Sequence, residues 1–183
     1  IIKDLRKQQQ KNLLLSLLIS KGVPMLLMGD EIGRSQGGNN NSWCQNNLLG
    51  WMNWDFHHQD LELLDYLKYL IKLRKKLINI INPPFLQSTK ITEETPKYYW
   101  HGAKLDTPDW SSWSHTIAFS INKGKNNPLI WTGLNAYSKN IDFCLPKSKS
   151  NWLKVIDTSM PDIFEPYYIN EQSIEIKSRS SVL

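Results

Sequence analysis

The sequence predicts an α+β chain in which a helix–strand–helix portion of α/β type is followed by an all-β sandwich. Two observations carry this. Residues 3–82 alternate leucine-rich helical stretches with one short apolar run, the rhythm of an α/β fold. After Pro84, short β-rich runs recur between clusters of Gly, Pro, Asn and Ser, the spacing of a sandwich. The boundary between segments 1–82 and 83–183 is expected at Asn82-Pro83-Pro84, because the residue before a proline is driven out of helical geometry.

The first helix is expected from about Lys3 to Ser20, polar at its start and then dense with Leu13, Leu14, Leu15, Leu17, Leu18 and Ile19, as a helix entering a core should be. Lys21-Gly22 ends it. The run VPMLLM, closed by Gly29, Asp30 and Glu31, reads as a strand buried on both faces rather than an alternating edge strand. From Gly33 to about Gln59 the text is rich in Gly, Asn and Trp and has no period. A loop that long inside a compact domain is functional or disordered, and Trp43, Trp51, Trp54 and Phe56 argue for order. The second helix starts with Asp60 as N-cap and carries Leu63, Leu67, Leu70 and Leu77. Strands are expected at KYYWHG, HTIAFSI, PLIWTGL, NIDFCL, NWLKVID and SIEIKS, with RSSVL as one more.

Composition narrows the partners. With 40% hydrophobic and 21% charged residues, disorder is not expected. The chain opens at Ile1, inside a helix without a capping signal, and so reads as a piece of a longer protein. A net charge of +5 raises nucleic acid as a partner, but the basic residues are scattered. Lys72, Arg74, Lys75 and Lys76 form the tight group, near a helix C-terminus where cations suit the macrodipole, so a solvated helix end is expected and no nucleic-acid partner. No apolar run reaches the roughly 18 residues of a membrane span, and no membrane partner is expected. Cys44 and Cys144 lie far apart without a metal or redox spacing, which fits a reducing cytoplasm or plastid stroma. Eight tryptophans, seven tyrosines and five phenylalanines offer rings that stack on sugar faces, with core packing as the plainer reading.

The stretches KNLLLSLLISKGVPMLLMGDE, GRSQGGNNNSWCQNN and WMNWD, and later YYWHGAKLDTPDWSSWSHTIAF, are more specific. Gly22, Pro24, Gly29 and Glu31 fit the pattern G-x-P-x-x-x-x-G-x-E, and GGNNN followed by an aromatic residue and Cys-Gln narrows it further. Through these residues the chain resembles the isoamylase and glycogen debranching branch of the α-amylase superfamily, glycoside hydrolase family 13. The resemblance implies that VPMLLM is the eighth strand of a (β/α)₈ barrel, flanked by barrel helices seven and eight, and that the β-sandwich is domain C. It implies an α-1,6-glucosidase acting on a branched α-glucan such as glycogen or a starch-like polymer, by a retaining mechanism without metal or organic cofactor. It also implies that the nucleophile, the acid/base and the stabilising carboxylate precede Ile1, so that no catalytic residue is assigned here and the chain alone is expected to be inactive. The missing N-terminal barrel, or a second copy, is the expected protein partner. The alternative function is a non-catalytic carbohydrate-binding or interaction module derived from such an enzyme.

The substrate-facing set is Asp30, Glu31, Arg34, Asn39, Asn40, Asn41, Trp43, Gln45 and Asn46. Asp30 and Glu31 lie where barrel active sites assemble, yet adjacent strand residues point to opposite faces. They read first as structural carboxylates paired with arginine or backbone N–H groups, and second as contacts to a glucose hydroxyl. The amides of Asn39, Asn40 and Asn41 donate and accept as sugar hydroxyls require, while the plainer reading has them bond their own loop. Arg34 reads as an ion-pair partner of a neighbouring carboxylate or an orienter of a hydroxyl. His57 and His58 have no ligand partner at metal spacing, His101 and His115 are assigned to packing, and Trp110 and Trp113 to glucan stacking or an interdomain contact.

Overall fold

A computed structural model describes residues 2–55, 61–82, 95–124, 127–160 and 165–183. The expected roles of Phe56, His57, His58 and Asp60, and the boundary prolines, lie outside the described residues. Helix α1 spans Ile2–Ile19 and α2 spans Leu61–Ile81, both within a residue or so of the expectation. They pack together through Leu14, Leu15, Leu18, Leu63, Leu67 and Leu70, all buried. Lys7 and Lys11 of α1 pair with Glu62 of α2.

Eight strands follow: β1 (Lys97–His101), β2 (Thr116–Asn122), β3 (Pro128–Asn135), β4 (Ile141–Cys144), β5 (Trp152–Lys154), β6 (Tyr167–Ile169), β7 (Ser173–Ile176) and β8 (Ser180–Val182). A four-stranded antiparallel sheet has the order β1-β2-β3-β8, while β4-β7 and β5-β6 form two-stranded ribbons. Alternation along β2 and β3 sorts the side chains onto two faces. Phe119, Ile121 and Ile130 join the helices in one core, while Ala118, Trp131 and Val182 meet Phe143, Ile174 and Ile176 of the β4-β7 ribbon in a second. The sandwich is therefore lopsided: a ribbon covers one face of the sheet and two helices cover the other. Gly133 in β3 makes the ribbon's approach possible, since a Cβ there would collide with Ile176 and Trp131.

The seam between helices and sheet is also hydrogen-bonded. Tyr98 donates to the Ile81 carbonyl at 2.9 Å and Tyr69 to that of Val155 at 3.1 Å, and Asn12 donates to the Arg179 carbonyl at 2.8 Å. Burial holds the phenols of Tyr66, Tyr69 and Tyr98 well above the ordinary tyrosine range, so they remain donors at any physiological pH.

Two expectations change. The run Val23–Met28 forms no strand, and Val23 and Met25 are 93% and 87% exposed. A parallel barrel strand is stable only when neighbours satisfy its backbone on both sides, and the described residues offer it none. The basic group of α2 also divides. Lys72, Lys75 and Lys76 are solvated as expected, but Arg74 is buried and donates to the carbonyls of Leu18, Ser20 and Gly22, where α1 ends.

Candidate functional site

The turn after Met28 places the first candidates. Gly29 and Gly33 take left-handed backbone at φ 99° and 66° and bracket a single 3₁₀ turn, Asp30–Ile32. Gly29 is required on two counts, since its φ is strained for other residues and a Cβ would run into the Arg34 side chain. Glu31 accepts the Gly29 N–H at 2.8 Å, and Asp30 accepts the Leu27 N–H at 3.3 Å. Both carboxylates are folded back onto their own turn.

Arg34 carries the connection to the loop. Its guanidinium donates at 2.9 Å to the carbonyls of Leu49 and Gly50 and at 3.5 Å to that of Met28. The expected ion pair with a neighbouring carboxylate is replaced by a backbone clamp, because the loop returns its carbonyls to the fork within reach of several N–H groups at once.

The amides act mainly on the loop itself. Asn39 accepts the Asn41 N–H and donates to Gln45 at 2.8 Å, and Asn41 accepts the Trp43 N–H. Gln45 reaches the Asn41 carbonyl at 3.4 Å, and Asn46 accepts the Trp51 indole N–H at 2.9 Å. These side-chain turns account for the run of asparagines, with Asn40 left on the surface. Their consequence is a loop cross-bonded by its own side chains, with exposed aromatic faces: Trp43 is 82% exposed, Trp54 70% and Trp51 53%. Trp51 also lines a cavity of about 270 Å³ with Ile32, Gly33, Arg34, Leu48 and Asn53. The structure thus brings together Asp30, Glu31 and Arg34 in one turn and Asn39, Asn41, Trp43, Gln45 and Asn46 in one loop, with Arg34 as the link.

Trp110 and Trp113 lie elsewhere, 65% and 75% exposed, beside the sheet. Trp110 stacks edge-on against Trp100 and shares a groove of about 430 Å³ with Gln9, Leu13 and Ser16 of α1. His101 is buried, as packing required. Its Nδ1 accepts the Asp106 N–H at 2.9 Å and its Nε2 lies 3.0 Å from Ser120 Oγ. Burial pushes it below the ordinary histidine range, and the Asp106 carboxylate only partly offsets this. His115, exposed, sits edge-on to Tyr137. Among the described residues no group of three or more His, Cys, Asp or Glu side chains could hold a metal, and no helix is long and apolar enough to cross a membrane.

In fold the chain is similar to part of the pullulanases. It matches pullulanase type I from Bacillus subtilis str. 168, solved with maltose, with a TM-score of 0.67 and 20% identity, over 97% of this chain and 23% of that one. It matches the pullulanase from Bacillus acidopullulyticus with a TM-score of 0.69 and 17% identity, over 97% of this chain and 20% of that one. Sequence gives the narrower likeness. Residues 99–181 match the family model for the isoamylase 1-3 C-terminal domain. Chloroplastic isoamylase 1 of Oryza sativa subsp. japonica is 32% identical over 161 residues, 87% of this chain and 19% of that protein. The glycogen debranching enzyme of Pectobacterium atrosepticum is 40% identical over 115 residues, 61% of this chain and 16% of that protein. The chain spans about a fifth of the length of the curated isoamylases it matches.

Proposed function

We propose that this chain is part of a debranching hydrolase that cleaves α-1,6 linkages in glycogen or a starch-like glucan, and that it contributes substrate contacts rather than the reacting carboxylates. In this reading residues 1–82 complete the (β/α)₈ barrel, with Val23–Met28 as its eighth strand, and residues 83–183 form domain C. The exposed apolar run at Val23–Met28 supports it, because neighbouring barrel strands from the rest of the enzyme, or from a second copy, would satisfy that backbone and cover those side chains. The Oryza sativa relative is a chloroplastic isoamylase, and chloroplast stroma or cytoplasm is the compartment we propose.

The observation that carries the substrate reading is the loop 33–54, cross-bonded from within and clamped by Arg34 while presenting three tryptophan faces outward. Flat aromatic faces with amides beside them suit a glucan, whose sugar rings have apolar faces and hydroxyl edges. Asn40, Trp43 and the free valences of Asn39, Asn41, Gln45 and Asn46 face the chain of sugars. Asp30, Glu31 and Arg34 hold the platform from behind. Retaining hydrolysis requires two carboxyl groups about 5 Å apart across the scissile bond, and Asp30 and Glu31, each turned onto its own backbone, do not form that pair.

Migration through native gels containing glycogen tests this. The chain should be retarded, and Trp43→Ala with Asn40→Ala should release it. Two contacts of about 1 kcal/mol each correspond to roughly 30-fold in affinity. Retardation unchanged in the double variant, with circular dichroism unaltered, would retire the loop as a glucan platform.

A further inference from the structure

The two helices cover their side of the four-stranded sheet only in part. Phe119, Ile121 and Ile130 lie in the core shared with the helices. Ile117 and Leu134, a cross-strand pair on the same face of β2 and β3, are only half-buried. They floor the groove of about 430 Å³, which has Gln9, Leu13 and Ser16 of α1 on one side and Asp109, Trp110 and His115 on the other. This volume lies within the roughly 300–1,000 Å³ of small-molecule pockets.

Trp110 is held at the rim rather than folded away. Its ring lies 5.5 Å from that of Trp100 at 71°, and Trp100 lies 5.3 Å from Phe119 at 61°, so a ladder of aromatic rings runs from the core to the groove. Trp110 nevertheless stays 65% exposed. Core packing leaves that exposure unexplained, and an indole already fixed in place loses little entropy when a ligand stacks on it. Trp113, 75% exposed, sits on the same turn, closed by the Ser114 N–H on the Ser111 carbonyl at 3.0 Å, but stands outside the groove's lining.

The polar groups beside Trp110 are within reach of solvent and keep bonding capacity. Asp109, exposed, accepts the Ser111 N–H at 3.0 Å and has lone pairs to spare. Gln9, half-exposed, donates one amide N–H to the Arg179 carbonyl at 3.0 Å and keeps its second N–H and its carbonyl oxygen. Asp109 is the only Asp, Glu, Lys or Arg among the described residues lining the groove, so an anion is not favoured. A cation would use the carboxylate and the indole but not the amide donor. A neutral molecule with apolar faces and hydroxyl edges engages all three.

We propose that this groove is a second, non-catalytic site for an α-glucan, in which a glucosyl ring packs on Trp110 and its hydroxyls meet Asp109 and Gln9. The choice of glucan rests on the function proposed above, whereas the need for a neutral polyhydroxyl ligand rests on the groove alone. The site shares no lining residue with the loop 33–54 and holds a second stretch of the polymer while the loop engages the first.

The test is an NMR titration of the chain with maltoheptaose at constant neutral pH, following the Trp110 indole N–H and the Leu13 methyl groups. Saturable shifts at both are expected, and they should persist in Trp43→Ala. Trp110→Ala should lower the affinity read at Leu13 about tenfold, while Trp113→Ala, which alters a ring outside the groove, should leave it unchanged. If Trp110→Ala disturbs the fold, Ser16→Phe, which fills the groove from α1, must bring the same loss. Three results overturn the site: no saturable shift at Trp110 and Leu13, an equal loss in Trp113→Ala, or shifts with tetramethylammonium and none with the sugar. Glycogen retardation that still depends on Trp43 leaves the loop standing if the groove fails, and saturable Trp110 shifts leave the groove standing if the loop fails.

Discussion

Replacing Arg74 with alanine should cost about 3–4 kcal/mol of folding stability. Helix α1 has no basic residue in its own last turn, yet a helix end leaves carbonyls without intrahelical partners. Arg74, buried in α2, reaches across to Leu18, Ser20 and Gly22 and satisfies that end with charge. Three bonds from a charged donor would give about 4.5–9 kcal/mol at roughly 1.5–3 kcal/mol each. Ser20 and Gly22 are exposed, however, so water replaces the guanidinium at two of the three carbonyls in the variant. What remains is the unpaired carbonyl at buried Leu18 and the lost packing of the side chain. In a chain of this size a loss of 3–4 kcal/mol lowers the melting temperature by roughly 6–16 °C. Arg74→Lys should recover less than half, because an ammonium cannot span the three acceptors as the planar fork does. Urea denaturation of the three proteins measures it. An alanine variant within about 1 kcal/mol of the parent, or a lysine variant equal to it, refutes the capping role.

Further perturbations probe the other polar groups. His101 is held neutral by burial, and the unfolded chain binds a proton more readily than the folded one. Stability should therefore be full above the ordinary histidine pKa of about 6.5 and fall as pH drops below it; the urea midpoint of His101→Gln should decline less between pH 7.5 and 5. The Lys154 ammonium, buried, bonds Asp157 at 2.9 Å and lies 4.8 Å from the Tyr167 ring centroid. Burial alone would lower its pKa, but Tyr167 and Asp157 outweigh burial and raise it. Asp157→Ala, which takes the carboxylate from the buried ammonium and leaves it Tyr167, should cost about 3 kcal/mol, and Lys154→Met distinctly less. Equal losses in denaturant titrations would show that the charge is not effectively buried.

Much of the fold was legible locally. Leucine periodicity located both helices, and alternation with turn residues located seven of the eight strands. β6 escaped because Tyr167–Ile169 is three residues long and lacks alternation. The run Val23–Met28 shows the limit of reading composition: six apolar residues specify a buried strand only where other strands exist to bury it. Arg74 was grouped with its basic neighbours because its partners lie 52–56 residues away. The joint core of Leu15, Leu63 and Phe119 is equally non-local. At the candidate site the sequence identified a Gly-Asn-Trp loop and left its amides two roles, facing a glucan or bonding their own loop. It did not show that Arg34 clamps carbonyls, that the tryptophans point outward, or that Trp110 shares a groove with α1.

On the function proposed, the chain holds substrate-facing structure of a debranching hydrolase without its catalytic carboxylates. Reducing-sugar release from a branched glucan by the purified chain tests it most directly. Because a retaining mechanism needs a nucleophile and an acid about 5 Å apart, and Asp30 and Glu31 are engaged with their own turn, the rate should stand at background. Activity that survives stringent repurification and disappears in Glu31→Gln would contradict it.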